Sequence, residues 1–259
     1  MTRLDYHTNK YDLPDNAFGI SPSQINSFLS KPHEWFRSEV LDEKRFEATT
    51  STVLGTIVHF CAEEYIKTKT VDTTEIQKYM SQFALNSDID LEHISSQWVP
   101  MKDRLITHMS SRGIPNRSEE AIQAEILPGY YACGTADAVL GTTLIDFKTT
   151  SVKEPKPEIP LYYRYQLLTY AWIYNNIGIP IDRIRILWIT NNDVGRISDK
   201  TNKPMKDYPC QVVEASEMFT QESYDFIESI LKLIAETVDY YKQHPELAYI
   251  IFKDYRLKQ

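Results

Sequence analysis

The stretch Gly134–Thr150 reads GTADAVLGTTLIDFKTT, with Asp137 and Asp146 nine positions apart and Lys148 two residues after the second acid. Val139-Leu140 and Leu144-Ile145 are apolar and β-prone, and Gly141-Thr142 between them suits a two-residue type II′ hairpin turn. With that turn, Asp137 lies across from Asp146 and Thr135 across from Lys148. Side chains alternate along a strand, so Asp146 and Lys148 share one face while Ile145 and Phe147 point to the other. Like charges opposed across a ladder are destabilising. A fold that keeps such a pair has a reason to neutralise it with a cation, and Mg²⁺ and Mn²⁺ take oxygen ligands of this kind. An exposed hairpin carrying a salt-bridged Asp-x-Lys is the competing reading of the same residues.

Outward from the hairpin, the N-terminal side is helical in pattern. Ser21-Pro22-Ser23-Gln24 has the form of a capping box with proline at the first helical position, predicting a helix over Pro22 to Leu29. Lys31-Pro32 interrupts it, and Trp35-Phe36 resume an apolar face. Val53, Ile57, Phe60 and Ile66 fall at helical spacing within Thr52 to Lys67. Further helices are expected over Thr73 to Leu85 and Trp98 to Ser110. The pattern turns to strands at Ile122 to Leu127 and then enters the hairpin. Pro155, Pro157 and Pro160 punctuate a loop. Leu161 to Asn176 follows as an amphipathic helix, Ile184 to Thr190 and Gln211 to Val213 as strands, and Phe219 to Tyr241 as a long helix ending before His244-Pro245.

The chain has 259 residues, 42% of them hydrophobic, enough for one substantial core. Three widely spaced cysteines, Cys61, Cys133 and Cys210, argue against a disulfide framework and a four-cysteine cluster. The N-terminus lacks an apolar signal segment, and no apolar run approaches the ~20 residues of a membrane span. A soluble, reducing, cytoplasmic or intracellular setting is expected. The formal charge of −8 weakens the general case for nucleic-acid binding, which needs local Lys or Arg at phosphates. Lys148, Lys153, Lys156 and Arg164, gathered after the hairpin, leave room for a locally basic cleft.

Two helical pairs and one acid complete the candidates. His59 follows Gly55 in Gly-x-x-x-His, with Glu63 one turn later on the same helical face. Gln166 and Tyr170 are also four apart. Glu125, on the strand before the hairpin, is a third acid able to approach the same site.

In chain order the sequence offers Ser-Pro-Ser-Gln on a helix, Gly55-x-x-x-His59, Glu125, Gly134-x-x-Asp137, Asp146-Phe147-Lys148-Thr149 and Gln166-x-x-x-Tyr170. That order and spacing resemble the PD-(D/E)XK nuclease superfamily, specifically its RecB-like branch, over about Ser21 to Ile189. The resemblance implies an α/β fold with a central mixed β-sheet flanked by helices and an N-terminal helical region. It implies an N-terminal extension over 1–20, a single nuclease domain from 21, a mainly helical part to 115, a sheet core over 120–215 and a C-terminal helix over 219–243. By position, His59, Asp137 and Asp146 resemble metal ligands, with the Phe147 backbone carbonyl and Glu125 as further candidates. Lys148 resembles the catalytic lysine, and Gln166 and Tyr170 match the motif beside the site. Ser23, Thr149, Lys153 and Arg164 are candidates for DNA contact.

The implied cofactor is divalent Mg or Mn, one or two ions, with the imidazole of His59 moving preference toward Mn²⁺. Lys31 stands where some relatives carry a cluster cysteine, so no iron–sulfur cluster is expected. No Gly-Lys-Ser/Thr helicase motif is present, so unwinding would come from a partner helicase; a single-strand annealing protein is the other partner implied, and no membrane is. The expected activity is a metal-dependent DNA exonuclease acting on linear or single-stranded ends in recombination, repair or replication, in the host cytoplasm if phage-encoded. An endonuclease of the same superfamily and a non-catalytic DNA-binding or scaffold protein are the alternatives. Trp35, Phe36 and Trp98 are candidate surfaces for stacking a threaded strand.

Overall fold

The computed structural model describes residues 4, 11–43, 48–152, 158–191, 197–198, 200–204 and 208–247. Among them the chain runs β1 (Phe18–Ile20), α1 (Pro22–Ser30), α2 (Pro32–Glu39), α3 (Thr50–Thr68), α4 (Thr73–Ser81), α5 (Leu91–Arg112), β2 (Arg117–Leu127), β3 (Tyr130–Leu140), β4 (Thr143–Thr150), α6 (Leu161–Asn176), β5 (Arg183–Thr190), β6 (Gln211–Glu214) and α7 (Gln221–Gln243). This is the mixed sheet flanked by helices that the motif order implied.

The hairpin forms as its turn residues dictate. Gly141 takes a φ of 62° between β3 and β4, and Ala138, Val139 and Leu140 pair antiparallel with Ile145, Leu144 and Thr143. The paired ladder ends at Ala138 and Ile145, so Thr135 and Lys148 do not complete a rung. β2 pairs along nearly the whole of β3 on one edge. The other edge of β3 is therefore shared between β4 and β1, which pairs in parallel with Tyr130–Ala132. Residues 133–137 of β3 lie between those two partners. β5 continues the sheet in parallel with β4, and β6 closes it antiparallel to β5.

Two apolar layers cover the sheet. One face packs Ile25, Trp35 and Phe36 of α1 and α2, the Leu167–Tyr174 stretch of α6, and Ile227, Leu231 and Ile234 of α7. The other packs α3, α4 and α5 through Val53, Ile57, Phe60, Ile76, Met101 and Leu105 against Phe147, Leu187 and Ile189. Leu144 belongs to the first layer and Phe147 to the second, as strand alternation requires.

Several sequence expectations are corrected. The capping box at Ser21 does not form: Ser21 Oγ meets Ser23 Oγ at 3.0 Å, while Gln24 Nε2 donates to Glu39 at 2.7 Å. The reciprocal box is instead on α3, between Thr49 and Thr52. The sheet begins inside the presumed extension, because Phe18–Ile20 is β1. α5 starts at Leu91, capped by Asp90, which accepts from the His93 N–H at 2.8 Å, and carries Pro100 within it. Trp35, Phe36 and Trp98 are buried rather than presented to a strand. Trp35 packs edge-on against Phe28 and Phe36 against Tyr241, so they serve the core.

Candidate active site

The candidate residues gather where β4 leaves β3. Beyond the last paired residues, the Asp137 carboxylate accepts the Phe147 backbone N–H at 2.5 Å. A residue's N–H and C=O leave a strand on the same side, so the Phe147 carbonyl also faces this opening rather than β5. Burial pushes Asp137 upward, but the charge and hydrogen bond of His59, with Lys148 and the Phe147 N–H, outweigh it and hold the carboxyl below its ordinary value.

Asp146 and Lys148 share a face of β4 and form a buried ion pair, with Nζ 2.8 Å from Oδ1 and 2.7 Å from Oδ2. Only the Oδ1 contact has the geometry of a hydrogen bond, so Oδ2 is a buried carboxylate oxygen with no hydrogen-bond donor. Burial raises Asp146 to about 6, against the opposing pull of Lys148 and with a further push from Asp137. The Lys148 ammonium also sits 4.9 Å from the ring centre of Tyr163. Burial lowers Lys148, but Asp146 and Asp137 more than compensate and keep it charged.

His59 reaches the same opening from α3. Its Nδ1 lies 3.3 Å from Asp137 Oδ1 and 3.7 Å from Glu119 Oε1. Burial works against its charge, yet Asp137 and Glu119 raise it to about 10. Glu119 was not foreseen from the sequence. It lies on β2 between Ser118 and Glu120, which pair with Ala138 and Ala136, and its φ of 51° is left-handed. A non-glycine residue pays roughly 1–2 kcal/mol for that conformation. Burial pushes Glu119 up to about 7, against the hydrogen bond from His59 and with added repulsion from Asp137. Glu125 lies far along β2, exposed, where it accepts from the Gly129 N–H at 3.3 Å in the β2–β3 turn; it is not brought to the site.

α6 covers the opening with the Gln166–Tyr170 pair. Gln166 hydrogen-bonds the Tyr170 phenol, which burial first, and then Asp137 and Asp146, raise well above the ordinary value. Gly134 explains how Tyr170 comes so close. A Cβ there would stand 2.6 Å from Tyr170 Cε1 and 2.9 Å from Pro22 Cδ, so the glycine of Gly-x-x-Asp admits both α6 and the start of α1 onto β3. Of the candidate DNA contacts, Ser23 is exposed at the start of α1, and Thr149 faces Gly55 of α3, its Oγ1 3.7 Å from where a Cβ would be. Arg164 donates its Nε to the Ile159 carbonyl at 2.9 Å. Lys153 lies outside the described residues.

These donors fit a divalent ion. His59, Glu119 and Asp137 each offer one ligand atom, all within 4.8 Å of one another. Oxygens on opposite sides of a Mg²⁺-sized ion held at about 2.1 Å stand about 4.2 Å apart, so the spacing is compatible. Asp146 Oδ2, buried without a hydrogen-bond donor, and the Phe147 carbonyl are further candidate oxygens beside these three. Mixed imidazole and carboxylate donors suit Mg²⁺ less well than Mn²⁺.

A family model described as the PD-(D/E)XK nuclease superfamily matches residues 19–239. Among solved structures, the chain is similar to a candidate exonuclease from Eubacterium rectale at 12% identity and a TM-score of 0.56, covering 87% of this chain and 82% of that one. It is also similar to an alkaline exonuclease from Laribacter hongkongensis at 15% identity and a TM-score of 0.36, covering 76% of this chain and 98% of that one. At these identities the first likeness speaks for the fold, and the second adds nothing to it. No curated protein matches the chain. No helix among the described residues is long and apolar enough to cross a membrane.

Proposed function

The chain belongs to the PD-(D/E)XK nuclease superfamily, and on that footing we propose that it hydrolyses DNA phosphodiester bonds from a DNA end with a divalent cation. The observation that supports this reading best is the meeting of His59, Glu119 and Asp137 with the Asp146–Lys148 pair at the parting of β3 and β4. His59, Glu119, Asp137, Asp146 and the Phe147 carbonyl would hold the ion, Mn²⁺ or Mg²⁺. A bound divalent ion supplies Lewis-acid withdrawal of charge from the phosphate and lowers the pKa of water.

The chain's own groups do the rest. Lys148, kept charged by Asp146, presents its ammonium to the phosphate oxygens and stabilises the negative charge that develops there. Asp146 orients that lysine through its Oδ1. Gln166 and Tyr170 line the opening and hold the substrate's backbone or the attacking water in place, while Tyr170 keeps its proton. Thr149 and Arg164 are the candidates for contact with the strand. Recombination or repair of broken DNA is the setting in which an end-dependent nuclease of this kind works.

The test is hydrolysis of end-labelled linear DNA by the purified protein. Cleavage should cease on chelation and return with Mn²⁺, more strongly than with Mg²⁺. DNA left intact with every divalent ion would refute the reading and favour a non-catalytic binding protein.

A further inference from the structure

Aromatic rings do meet the outside of this protein beside the candidate site, at the first turn of α6. Tyr163 packs edge-on against Trp188 of β5, with centroids 5.9 Å apart. Trp188 is the register partner of Lys148 on the neighbouring strand. Tyr162 lies against Tyr163 at 4.1 Å, tilted by 50°, and is 45% exposed. Three rings thus run from the sheet to solvent, and the Lys148 ammonium sits 4.9 Å from the middle one.

The outer ring has no core role that explains its exposure, and its position is specific. A phosphate held by Lys148 carries a nucleotide on either side, and the base of one of them comes within reach of an aromatic face next to that ammonium. Stacking on an aromatic face is open only to a base whose own face is uncovered, as in a single strand or a frayed end. We infer that Tyr162, backed by Tyr163 and Trp188, is the stacking platform for the nucleobase flanking the scissile phosphate, and that it selects an unpaired end. This rests on the nuclease reading of the site. It replaces the buried Trp35, Phe36 and Trp98 with a residue that a strand can touch.

The test uses the full chain and single-stranded oligonucleotides carrying 2-aminopurine, with Ca²⁺ as the divalent ion for binding and Mn²⁺ for cleavage. Stacking should quench the probe at one position near the end. Tyr162→Ala should abolish that quench and weaken single-strand binding by about 5- to 100-fold. Tyr162→Phe, which keeps the ring face, should restore binding to within about twofold. An abasic residue scanned along the first nucleotides should cause a comparable loss at one position, and that loss should vanish in Tyr162→Ala. Wild-type binding by Tyr162→Ala, no sensitive abasic position, or a Tyr162→Phe as weak as Tyr162→Ala would overturn the platform; the last would assign the hydroxyl instead. If Tyr162 governs binding but nothing is cleaved, the nuclease reading fails and the platform stands. If DNA is cleaved and Tyr162→Ala behaves as wild type, only the platform fails.

Discussion

Asp137 accepts the Phe147 backbone N–H at 2.5 Å, immediately beyond the last paired residues of the β3–β4 hairpin. A side chain thus takes the place of a strand partner, and the strands part without leaving that donor unsatisfied. The same carboxylate meets His59 from another element. One residue therefore both satisfies the strand at the opening and stands among the candidate ligands, so shape and chemistry can be separated by the substitution chosen. Asp137→Ala strands a buried N–H and should cost about 1–3 kcal/mol in chemical denaturation. Asp137→Asn retains an acceptor and should be destabilised less. Both should lose cleavage by at least about 10²-fold. Near-normal turnover in a folded Asp137→Asn would remove Asp137 from the mechanism.

Glu119 offers a sharper separation, because its backbone is strained and its carboxylate stands among the candidate ligands His59 and Asp137. Glu119→Gly relieves a left-handed φ and should hold or raise Tm, while abolishing the ligand. Glu119→Gln keeps the strain and the shape. Both should weaken divalent-ion affinity by about 10- to 100-fold, measured by calorimetry. Unchanged ion affinity in both would return Glu119 to a structural role.

Gly134 tests how closely α6 must approach. The Cβ of Gly134→Ala would lie 2.6 Å from a ring carbon of Tyr170 and 2.9 Å from Pro22. Overpacking there should cost about 1–3 kcal/mol. Because it displaces Tyr170, cleavage should fall by more than stability alone explains at a temperature where the variant is fully folded. Wild-type activity in that variant would show that Tyr170 need not sit against β3.

The site's charges predict a coupling of ion binding to pH. Without the ion, three groups have raised folded-state values: Asp146 from 3.8 to about 6, Glu119 from 4.5 to about 7, and His59 from 6.5 to about 10. Each contributes stability that is fully present below its ordinary value and lost as pH rises through its raised one. Asp137 has the opposite sign, contributing above its ordinary value and losing that as pH falls. In chelator, His59, joined by Glu119 over the lower part of the range, should therefore lower Tm as pH climbs from 6 to 9, whereas the Asp146 and Asp137 windows lie mainly below it. Ligation needs a neutral imidazole and ionised carboxylates, so ion affinity should rise over the same range, by about tenfold per unit for each proton displaced. The Tm gain on adding Mg²⁺ should grow with pH. A gain that is flat or shrinks between pH 6 and 9 would contradict the ligand assignment of His59.

Much of this was legible in residues 134–150. The Gly141-Thr142 turn sets the register through Ala138 and Ile145, and alternation then places Asp146 beside Lys148. His59 was visible through its spacing from Gly55. Glu119 was not, because a glutamate beside Glu120 on a half-exposed strand has the pattern of a solvated face, and its approach depends on one left-handed residue. Glu125, on the same strand, was the natural but wrong choice of location, since it ends up capping a turn. β1 escaped notice because three residues have too little periodicity, and its partner lies over a hundred residues away. The aromatic candidates failed for a different reason: Trp35 and Phe36 look alike in sequence whether they face a strand of DNA or α7, and only packing decides.

Metal-dependent hydrolysis that needs a DNA end and runs through Lys148 is the activity proposed for this site. The most direct measurement follows linear and covalently closed DNA together in Mn²⁺, with wild type and Lys148→Ala in parallel. An end-dependent nuclease degrades the linear molecules to small products and leaves the closed circles intact, and Lys148→Ala should be slower by about 10²–10³-fold while remaining folded by circular dichroism. Rapid nicking of the closed circles would establish an endonuclease instead, and undiminished cleavage by Lys148→Ala would contradict the site itself.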